Sequence, residues 1–436
     1  MAGLCGNVSA MVSPLWRTTF ISALGGIFEF YDFVIFALFA PQIGAAFFPQ
    51  ESSASATLKA FAIFAVGYFA RPLGGILWAH IADRRGRAYV FSHTVLGMAA
   101  TTFIIGILPG YATLGIAAPI LLVVLRLVQG MALGGEIPSS LCWLSEHAGR
   151  RRAGLVTAIL LAGVNSGLLL GQTVALIISS VFGDEHVMNW AWRLAFFFGS
   201  CIGVLAYFVR RHVGESKEFE KLQSSGQVDP LPLRTLMRKS PRALVSGFLM
   251  CSLHAWVVAT LYLALPSFLM LACKTTQSHA DFIALVSAGC GSLIYVFSGW
   301  IADNVSARRF CAWALLAMFV CALPAYASVE TSGATWLVAL GALSGAFIGA
   351  YLGLLPRLFA SPVRVSGIAV SYDCAAALIG GSGPFVMFLV AENFGALGVG
   401  ALFMVFAAGG LVGLALMPKD DNPHLTDTAT ALYKIS

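Results

Sequence analysis

Charged residues are scarce in this sequence of 436 residues. Asp, Glu, Lys and Arg together make up 11% of it, whereas 58% of the residues are hydrophobic and the mean hydropathy is +0.84. An ordinary soluble domain carries about 25% charged residues, so the composition excludes that class and predicts an integral membrane protein. The sequence also lacks the segments of about ten residues with alternating polarity that build transmembrane β-barrels, and the spanning elements are therefore expected to be helices.

Motifs for metal, disulfide and nucleotide chemistry are missing as well. The nine cysteines include no C-x-x-C pair, and the eight histidines lack the close pairing that a metal site needs. No glycine-rich stretch is followed by the Lys-Ser or Lys-Thr of a phosphate-binding loop. We therefore expect neither a metal nor a cofactor. The segment up to Pro14 has no basic residue ahead of its apolar residues, which predicts that no signal peptide is cleaved from it.

Twelve apolar runs of about 20 residues are long enough to cross a membrane as helices. The runs begin near Arg17, Leu58, Ala88, Ala117, Ala153, Trp190, Pro241, Ala280, Phe310, Ala334, Ser366 and Ala396. The predicted fold is an all-α integral membrane protein with twelve transmembrane helices.

Basic residues are concentrated in the loops on one side of the predicted membrane. Those loops hold the clusters at 84–87, 150–152 and 308–309, whereas the opposite loops hold Lys59, Lys274 and Arg193. Because basic loops remain in the cytoplasm, we expect a multi-pass protein of the bacterial inner membrane with both termini cytoplasmic. The net charge of +6 then indicates contact with anionic lipid rather than with nucleic acid.

A polar insert separates the sixth and seventh apolar runs. It divides the chain into a six-helix bundle, a cytoplasmic linker, a second six-helix bundle and a cytoplasmic tail, at 1–211, 212–240, 241–417 and 418–436. The bundles resemble each other, because Arg17 recurs 225 residues later as Arg242, and the same offset places Glu29 opposite His254. Two repeated helical halves around a site at the membrane midplane are the plan of a secondary transporter.

Two carboxylates, Glu29 and Asp32, lie in the middle of the first apolar run. A charged group at the bilayer centre costs roughly 2.5–3.5 kcal/mol, so its presence there predicts a function. Counted along the helices by their rise per residue, Arg71 and Arg126 reach a similar depth in the second and fourth runs. Glu29 and Asp32 share one helix face. We expect Asp32, with Glu29 as a near equal, to carry a coupling proton and to exchange Arg126 as its partner.

Positive charge in the same region suits an anionic substrate. Arg71 and Arg126 can compensate the carboxylate of an organic acid in a dry cavity. Arg126, Gln129 and Glu136 fall on one face of the fourth helix and form a polar stripe. Further candidate substrate contacts are Tyr31, His254, Trp256, Tyr262, Tyr372 and Asp373. Among these, Asp373 suits a cationic group, and the expected partner is a small metabolite that bears a carboxylate.

The loop after the second run resembles a family signature. Residues 79–87 read A-H-I-A-D-R-R-G-R, which resembles the G-x-x-x-D-R-x-G-R of the major facilitator superfamily with Ala79 in place of glycine. A second copy at 299–309 keeps Gly299 and Asp303, and Arg126 to Gly130 resembles the R-x-x-x-G element that the superfamily uses in proton coupling. Because the signature loop is a conformational latch in the superfamily, the resemblance implies latch roles for Asp83, Arg84, Gly86, Arg87, Glu146, Arg151, Asp303 and Arg308.

Longer stretches are similar to the metabolite:proton symporters of that superfamily, the relatives of 2-oxoglutarate, citrate, shikimate and proline/betaine carriers. They include E-x-Y-D-F at 29–33, V-G-Y-F-A-R-P-L-G-G at 66–75, R-L-V-Q-G-M-A-L-G-G-E at 126–136 and V-R-V-S-G-x-x-x-S-Y at 363–372. The resemblance implies proton-coupled uptake of a small organic acid or zwitterion by a functional monomer. The family usually has Asn where this chain has Asp373.

Other functions remain open at this level. The fifth run has no Pro after Gly167, unlike the drug:proton antiporters that it otherwise resembles in its spacing of small residues, so an exporter is the weaker alternative. A membrane-embedded nutrient sensor is a further alternative. A membrane enzyme is disfavoured, because Glu29, Arg126 and His254 are not accompanied by a nucleophile or metal motif.

Overall fold

The computed structural model describes residues 14–149, 152–211, 214–273, 277–329 and 335–418. Before the linker, the long helices are α1 (Pro14–Leu38), α2 (Ser53–Arg85), α3 (Arg87–Ile107), α4 (Ala117–Ala148), α5 (Ala153–His186) and α6 (Arg193–Arg210). After it follow α7 (Pro241–Val257), α8 (Gln277–Asn304), α9 (Ala307–Ala327), α10 (Thr335–Leu354), α11 (Arg364–Ala375) and α12 (Gly383–Leu416). The linker contains two short helices, Lys217–Ser224 and Pro232–Lys239.

Among the described residues, eleven continuous helical stretches are long and apolar enough to cross a membrane. The last of them runs for 56 residues from Ser361 to Leu416, more than twice the length that a hydrocarbon core of ~30 Å requires. Gly395 interrupts this stretch with a φ of 65°, a backbone conformation that favours glycine. Because Gly395 lies within α12, the eleventh span consists of α11 and the part of α12 before Gly395, and the twelfth span is the part after it. The predicted all-α fold with twelve transmembrane helices is confirmed.

Glycines bring α2 and α4 into close contact in the first half. A Cβ atom at Gly130 would overlap the carbonyl oxygen of Gly67, and one at Gly134 would overlap the carbonyl oxygen of Arg71. Small residues allow membrane helices to approach at backbone distance. This packing fixes the segment of α2 around Arg71 against the segment of α4 that follows Arg126.

The two halves are joined at the end that the sequence predicts to be cytoplasmic, called the inner end below. Asp83 on α2 accepts a hydrogen bond of 3.0 Å from the backbone amide of Ser366 at the start of α11. Asp303 on α8 accepts one of 2.8 Å from the amide of Gly154 at the start of α5. Because a carboxylate stabilises a helix N-terminus, each half caps a helix of the other half.

Candidate transport site

A cavity lies between the two halves near the middle of the long helices. It contains about 590 Å³ of space, including its open side. The polar side chains that line it include Glu29 on α1, Arg71 on α2, His254 on α7 and Tyr372 on α11. Glu29 and His254, which the sequence repeat places opposite each other, thus face the same space.

Arg71 supplies positive charge to this cavity and contacts two carboxylates. Its Nη2 atom lies 3.7 Å from Oε1 of Glu29 and 3.3 Å from Oδ1 of Asp373. The rings of Tyr68 and Tyr372 lie 5.5 and 5.9 Å from the guanidinium carbon. Glu29 belongs to the first half and Asp373 to the second, so Arg71 connects the halves. Asp373 does not line the cavity, and its carboxylate contacts Arg71; its predicted contact with substrate stays a prediction.

Asp32 lies in a smaller pocket beside the cavity, within the first half. Thr102 donates a hydrogen bond of 2.6 Å to its Oδ1 atom, and Gln129 donates one to its Oδ2 atom. Arg126 donates in turn to the side-chain oxygen of Gln129. Gln129 therefore connects Asp32 with Arg126, a link that the predicted direct pairing of these two residues did not include.

The guanidinium of Arg126 lies against aromatic rings. Its central carbon is 4.2 Å from the centre of the Phe36 ring and 5.4 Å from that of Phe64. Such cation–π contacts stabilise a buried guanidinium by about 0.5–2 kcal/mol. Arg126 lines the smaller pocket together with Asp32. Arg126 does not line the central cavity.

Three predicted substrate contacts point into the packed interior of one half instead of the cavity. Tyr31 donates a hydrogen bond of 2.8 Å to the carbonyl oxygen of Ala195, and Tyr262 donates one of 3.2 Å to that of Gly341. Trp256 stacks on an aromatic ring of α12, with 4.7 Å between the ring centres. In this structure these three side chains contact residues of their own half and do not line the central cavity, so their predicted contact with substrate stays a prediction.

Some residues of the site were not singled out from the sequence. Tyr351 places its hydroxyl oxygen 2.6 Å from Nδ1 of His254, and Asn165 donates a hydrogen bond of 3.0 Å to Ser292 across the two halves. Thr102 donates a hydrogen bond to Asp32. These are ordinary polar residues in apolar runs, and only the fold brings them to the site. The sequence did indicate Gln129, because it lies in the polar stripe of α4.

The predicted latch residues Asp83, Arg87 and Glu146 lie together at the inner end. Arg87 donates a hydrogen bond of 2.7 Å to the carbonyl oxygen of Ser361 and lies 3.5 Å from Oε1 of Glu146. Arg364, which was not predicted as a latch residue, donates one of 3.0 Å to the same oxygen of Glu146. This cluster of buried charges joins α3 and α4 of the first half to the start of α11.

The other predicted latch residues have different surroundings. Arg84 is exposed and lies 3.4 Å from a ring nitrogen of His80. Gly86 has a φ of 118°, which favours glycine, and makes the turn between α2 and α3. Arg308 donates to the carbonyl oxygen of Leu414 at 3.2 Å and so binds within the second half. Arg151 lies outside the described residues.

The linker packs against this inner cluster. Glu218 lies 3.0 Å from Arg364, and the Arg87 guanidinium lies over the ring of Phe219 at 4.6 Å. Glu215 accepts a hydrogen bond of 3.0 Å from the amide of Ala88 at the start of α3. Burial raises the pKa of the Glu215 carboxyl, because a low-dielectric surrounding disfavours its charged form. Through its contacts with Arg364, Arg87 and Ala88, the linker binds both halves at the inner end.

Two helical halves around a central cavity with buried ionisable side chains define a secondary transporter. The Major Facilitator Superfamily matches residues 22–381 of the chain. The chain belongs to this superfamily and is a transporter rather than an enzyme, as its relatives are.

Proteins with similar sequences include carriers of small metabolites. The inner membrane metabolite transport protein YhjE of Escherichia coli K12 is 32% identical over 420 residues, which cover 92% of this chain and 93% of the relative. The shikimate transporter of the same organism is 30% identical over 381 residues, which cover 85% and 86% of the two chains. The proline/betaine transporter of Salmonella typhimurium LT2 is 26% identical over 422 residues, which cover 92% and 83%. The resemblance to metabolite carriers that the motifs indicated is thus confirmed.

Solved structures show the same fold. The proton:xylose symporter XylE bound to 6-bromo-6-deoxy-D-glucose superposes with a TM-score of 0.73 at 15% identity, covering 96% of this chain and 99% of that one. At this level of identity, the likeness concerns the architecture and not the substrate.

Proposed function

We propose that this protein is a proton-coupled symporter that takes up a small carboxylate-bearing metabolite, either an organic acid or a zwitterion, by alternating access. It acts as a monomer in a bacterial inner membrane with both termini in the cytoplasm, and it uses the proton as coupling ion without a further cofactor. One observation carries the proposal. Glu29 lines the cavity with one carboxylate oxygen 3.7 Å from Arg71, while its other oxygen has no hydrogen-bond partner among the described residues.

The chemistry of Arg71 supports a carboxylate substrate. A guanidinium offers a planar fork of donors that matches a carboxylate, and Arg71 is the guanidinium that reaches the cavity of the described chain. Proline, betaine and shikimate, the compounds in the names of the relatives, all carry a carboxylate.

Proton and substrate act on one network of charges. Arg71 faces Glu29 in the cavity, and a proton on Glu29 removes one of the negative charges that hold Arg71. The guanidinium is then available for the carboxylate of a substrate. Both oxygens of Asp32 accept hydrogen bonds from Thr102 and Gln129, whereas one oxygen of Glu29 has no hydrogen-bond partner among the described residues. The arrangement therefore favours Glu29 as the proton carrier, with Asp32 holding Gln129 and Arg126 in place.

Uptake into proteoliposomes tests this function. Radiolabelled proline, betaine and shikimate are offered with and without an inward proton gradient to the wild type, Glu29→Gln and Asp32→Asn. The gradient should drive accumulation of at least one compound by the wild type, and Glu29→Gln should abolish it. Glu51→Gln is the matched control, because Glu51 is an exposed acid paired with Lys59 and its loss should change nothing. Full accumulation by Glu29→Gln would show that Glu29 is not the proton carrier, and full accumulation by Asp32→Asn as well would rule out both acids.

A further inference from the structure

Arg71 and Asp373 form an ion pair between the two halves at the inner side of the cavity. The two residues are 302 positions apart, and Nη2 of Arg71 donates a hydrogen bond of 3.3 Å to Oδ1 of Asp373. The side chain of Asp373 is fully buried, and that of Arg71 is 5% exposed. The pair lies on the same two helices, α2 and α11, that Asp83 and Ser366 join at the inner end.

The structure leaves a fitted space for the Asp373 carboxylate. A Cβ atom at Gly75 would overlap Oδ2 of Asp373, so only glycine at this position of α2 leaves room for it. That Oδ2 atom has no hydrogen-bond partner within the described part of the chain. Arg71 is therefore the group that compensates the charge of Asp373, and the carboxylate is positioned for this contact alone.

Opening of the inner end must separate α2 from α11 and with it Arg71 from Asp373. Separation of a buried ion pair is strongly unfavourable, because each charge is left without compensation in a low-dielectric environment. A substrate carboxylate that binds Arg71 compensates the charge of the guanidinium in place of Asp373. The empty carrier has no such replacement.

We propose that Asp373 is an internal counter-ion that holds Arg71 and keeps the inner end closed until the carboxylate of a substrate replaces it. Asp373 is thus a positioning residue that acts through Arg71, and it makes inward opening depend on a bound substrate. The inference rests on the proposed function for the identity of the releasing ligand. The closure itself is a property of the empty protein and can be measured without any substrate.

Amide hydrogen exchange of the purified full-length protein tests the closure. The amides of Gly154 and Leu155 donate to Asp303, and those of Val365 and Ser366 donate to Asp83, so peptides that contain them report opening of the inner end. In Asp373→Asn without substrate, these peptides should exchange about tenfold faster than in the wild type, which corresponds to about 1.4 kcal/mol. Arg71→Gln should have the same effect, and the double variant should not exceed the larger single effect, because both changes remove one contact.

Glu136→Gln is the matched control for this experiment. Glu136 on α4 is also a buried carboxylate, and its Oε1 atom lies 2.7 Å from Arg210 on α6, within the same half. Its neutralisation should leave the inner end as closed as in the wild type. The proposal is overturned if Asp373→Asn and Arg71→Gln both exchange like the wild type, or if Glu136→Gln exchanges as fast as Asp373→Asn.

A second arm uses betaine, proline and shikimate as probes. A compound that the wild type accumulates in proteoliposomes should accelerate amide exchange at the inner end of the wild type. In Asp373→Asn, where exchange is already fast, the same compound should increase the exchange rate by less than about twofold. If the compound accelerates exchange equally in the wild type and in Asp373→Asn, the proposal that substrate releases Arg71 from Asp373 is overturned. If the proposed function fails and none of the compounds is transported, the measurement without substrate still decides whether Asp373 closes the inner end.

Discussion

Asp83 caps the first turn of α11 through Ser366 and accepts hydrogen bonds from both its amide, at 3.0 Å, and its hydroxyl, at 2.8 Å. The contact joins α2 of one half to α11 of the other. Asp303, its counterpart in the second half, accepts from Gly154 and Leu155 at the start of α5. The inner end is thus closed by two related contacts in which a carboxylate binds the N-terminus of a helix in the opposite half.

Asp83→Asn should weaken this closure, because Asn keeps one acceptor oxygen and loses the other together with the charge. A hydrogen bond to a charged group contributes about 1.5–3 kcal/mol. With less of the carrier in the state that binds external substrate, the half-saturation concentration for uptake should rise about tenfold. The matched control is Arg84→Gln in the same last turn of α2, since Arg84 is exposed and its side chain lies near His80. An unchanged half-saturation concentration in Asp83→Asn would argue against the latch.

Gln129→Leu should uncouple transport from the proton gradient. Gln129 connects Asp32 with Arg126, and Leu removes both contacts at similar volume. Exchange of substrate across the membrane should continue, while accumulation against a gradient should fall at least tenfold. Thr102→Val removes a donor from Asp32 without touching Arg126 and should have the smaller effect. Accumulation by Gln129→Leu at the wild-type level would contradict a role for this link.

Tyrosines that pack inside one half should respond differently from those that line the cavity. Tyr262→Phe removes the hydrogen bond to Gly341 and should lower the free energy of unfolding by about 1 kcal/mol without changing the half-saturation concentration. Tyr372→Ala removes a ring near Arg71 and should raise that concentration about 2- to 30-fold, as the loss of about 0.5–2 kcal/mol implies. Thermal unfolding and concentration-dependent uptake separate the two effects. A higher half-saturation concentration for Tyr262→Phe without a loss of stability would indicate that Tyr262 contacts the substrate.

Gly130→Ala should destabilise the first half. The added methyl group would overlap the carbonyl oxygen of Gly67 on α2, and overpacking of this kind costs about 1–3 kcal/mol. Gly97→Ala on α3 is the matched control, because a Cβ there lies 3.7 Å from Ala132, an ordinary contact distance. Gly97→Ala should be neutral or stabilising, since Ala favours a helix interior. Equal melting temperatures for the two variants would contradict the close packing of α2 on α4.

Much of the architecture can be predicted from the sequence. Low charge and long apolar runs determine a helical membrane protein, because backbone polar groups in lipid must be satisfied within a helix. The offset between Glu29 and His254 correctly predicts that both reach one central region, since helical rise fixes depth along the membrane normal. The signature around Asp83 and its copy at Asp303 predicts the contacts of the inner end.

The partners of each side chain were decided only by the tertiary structure. Helices that are apolar on every side give no hydrophobic stripe from which their rotation can be read, so the sequence could not show that Tyr31, Trp256 and Tyr262 face the interior of a half. Nor could it show that Arg71 meets Asp373 across the halves. Depth follows from counting residues along one helix, whereas a contact depends on how two helices rotate and pack against each other.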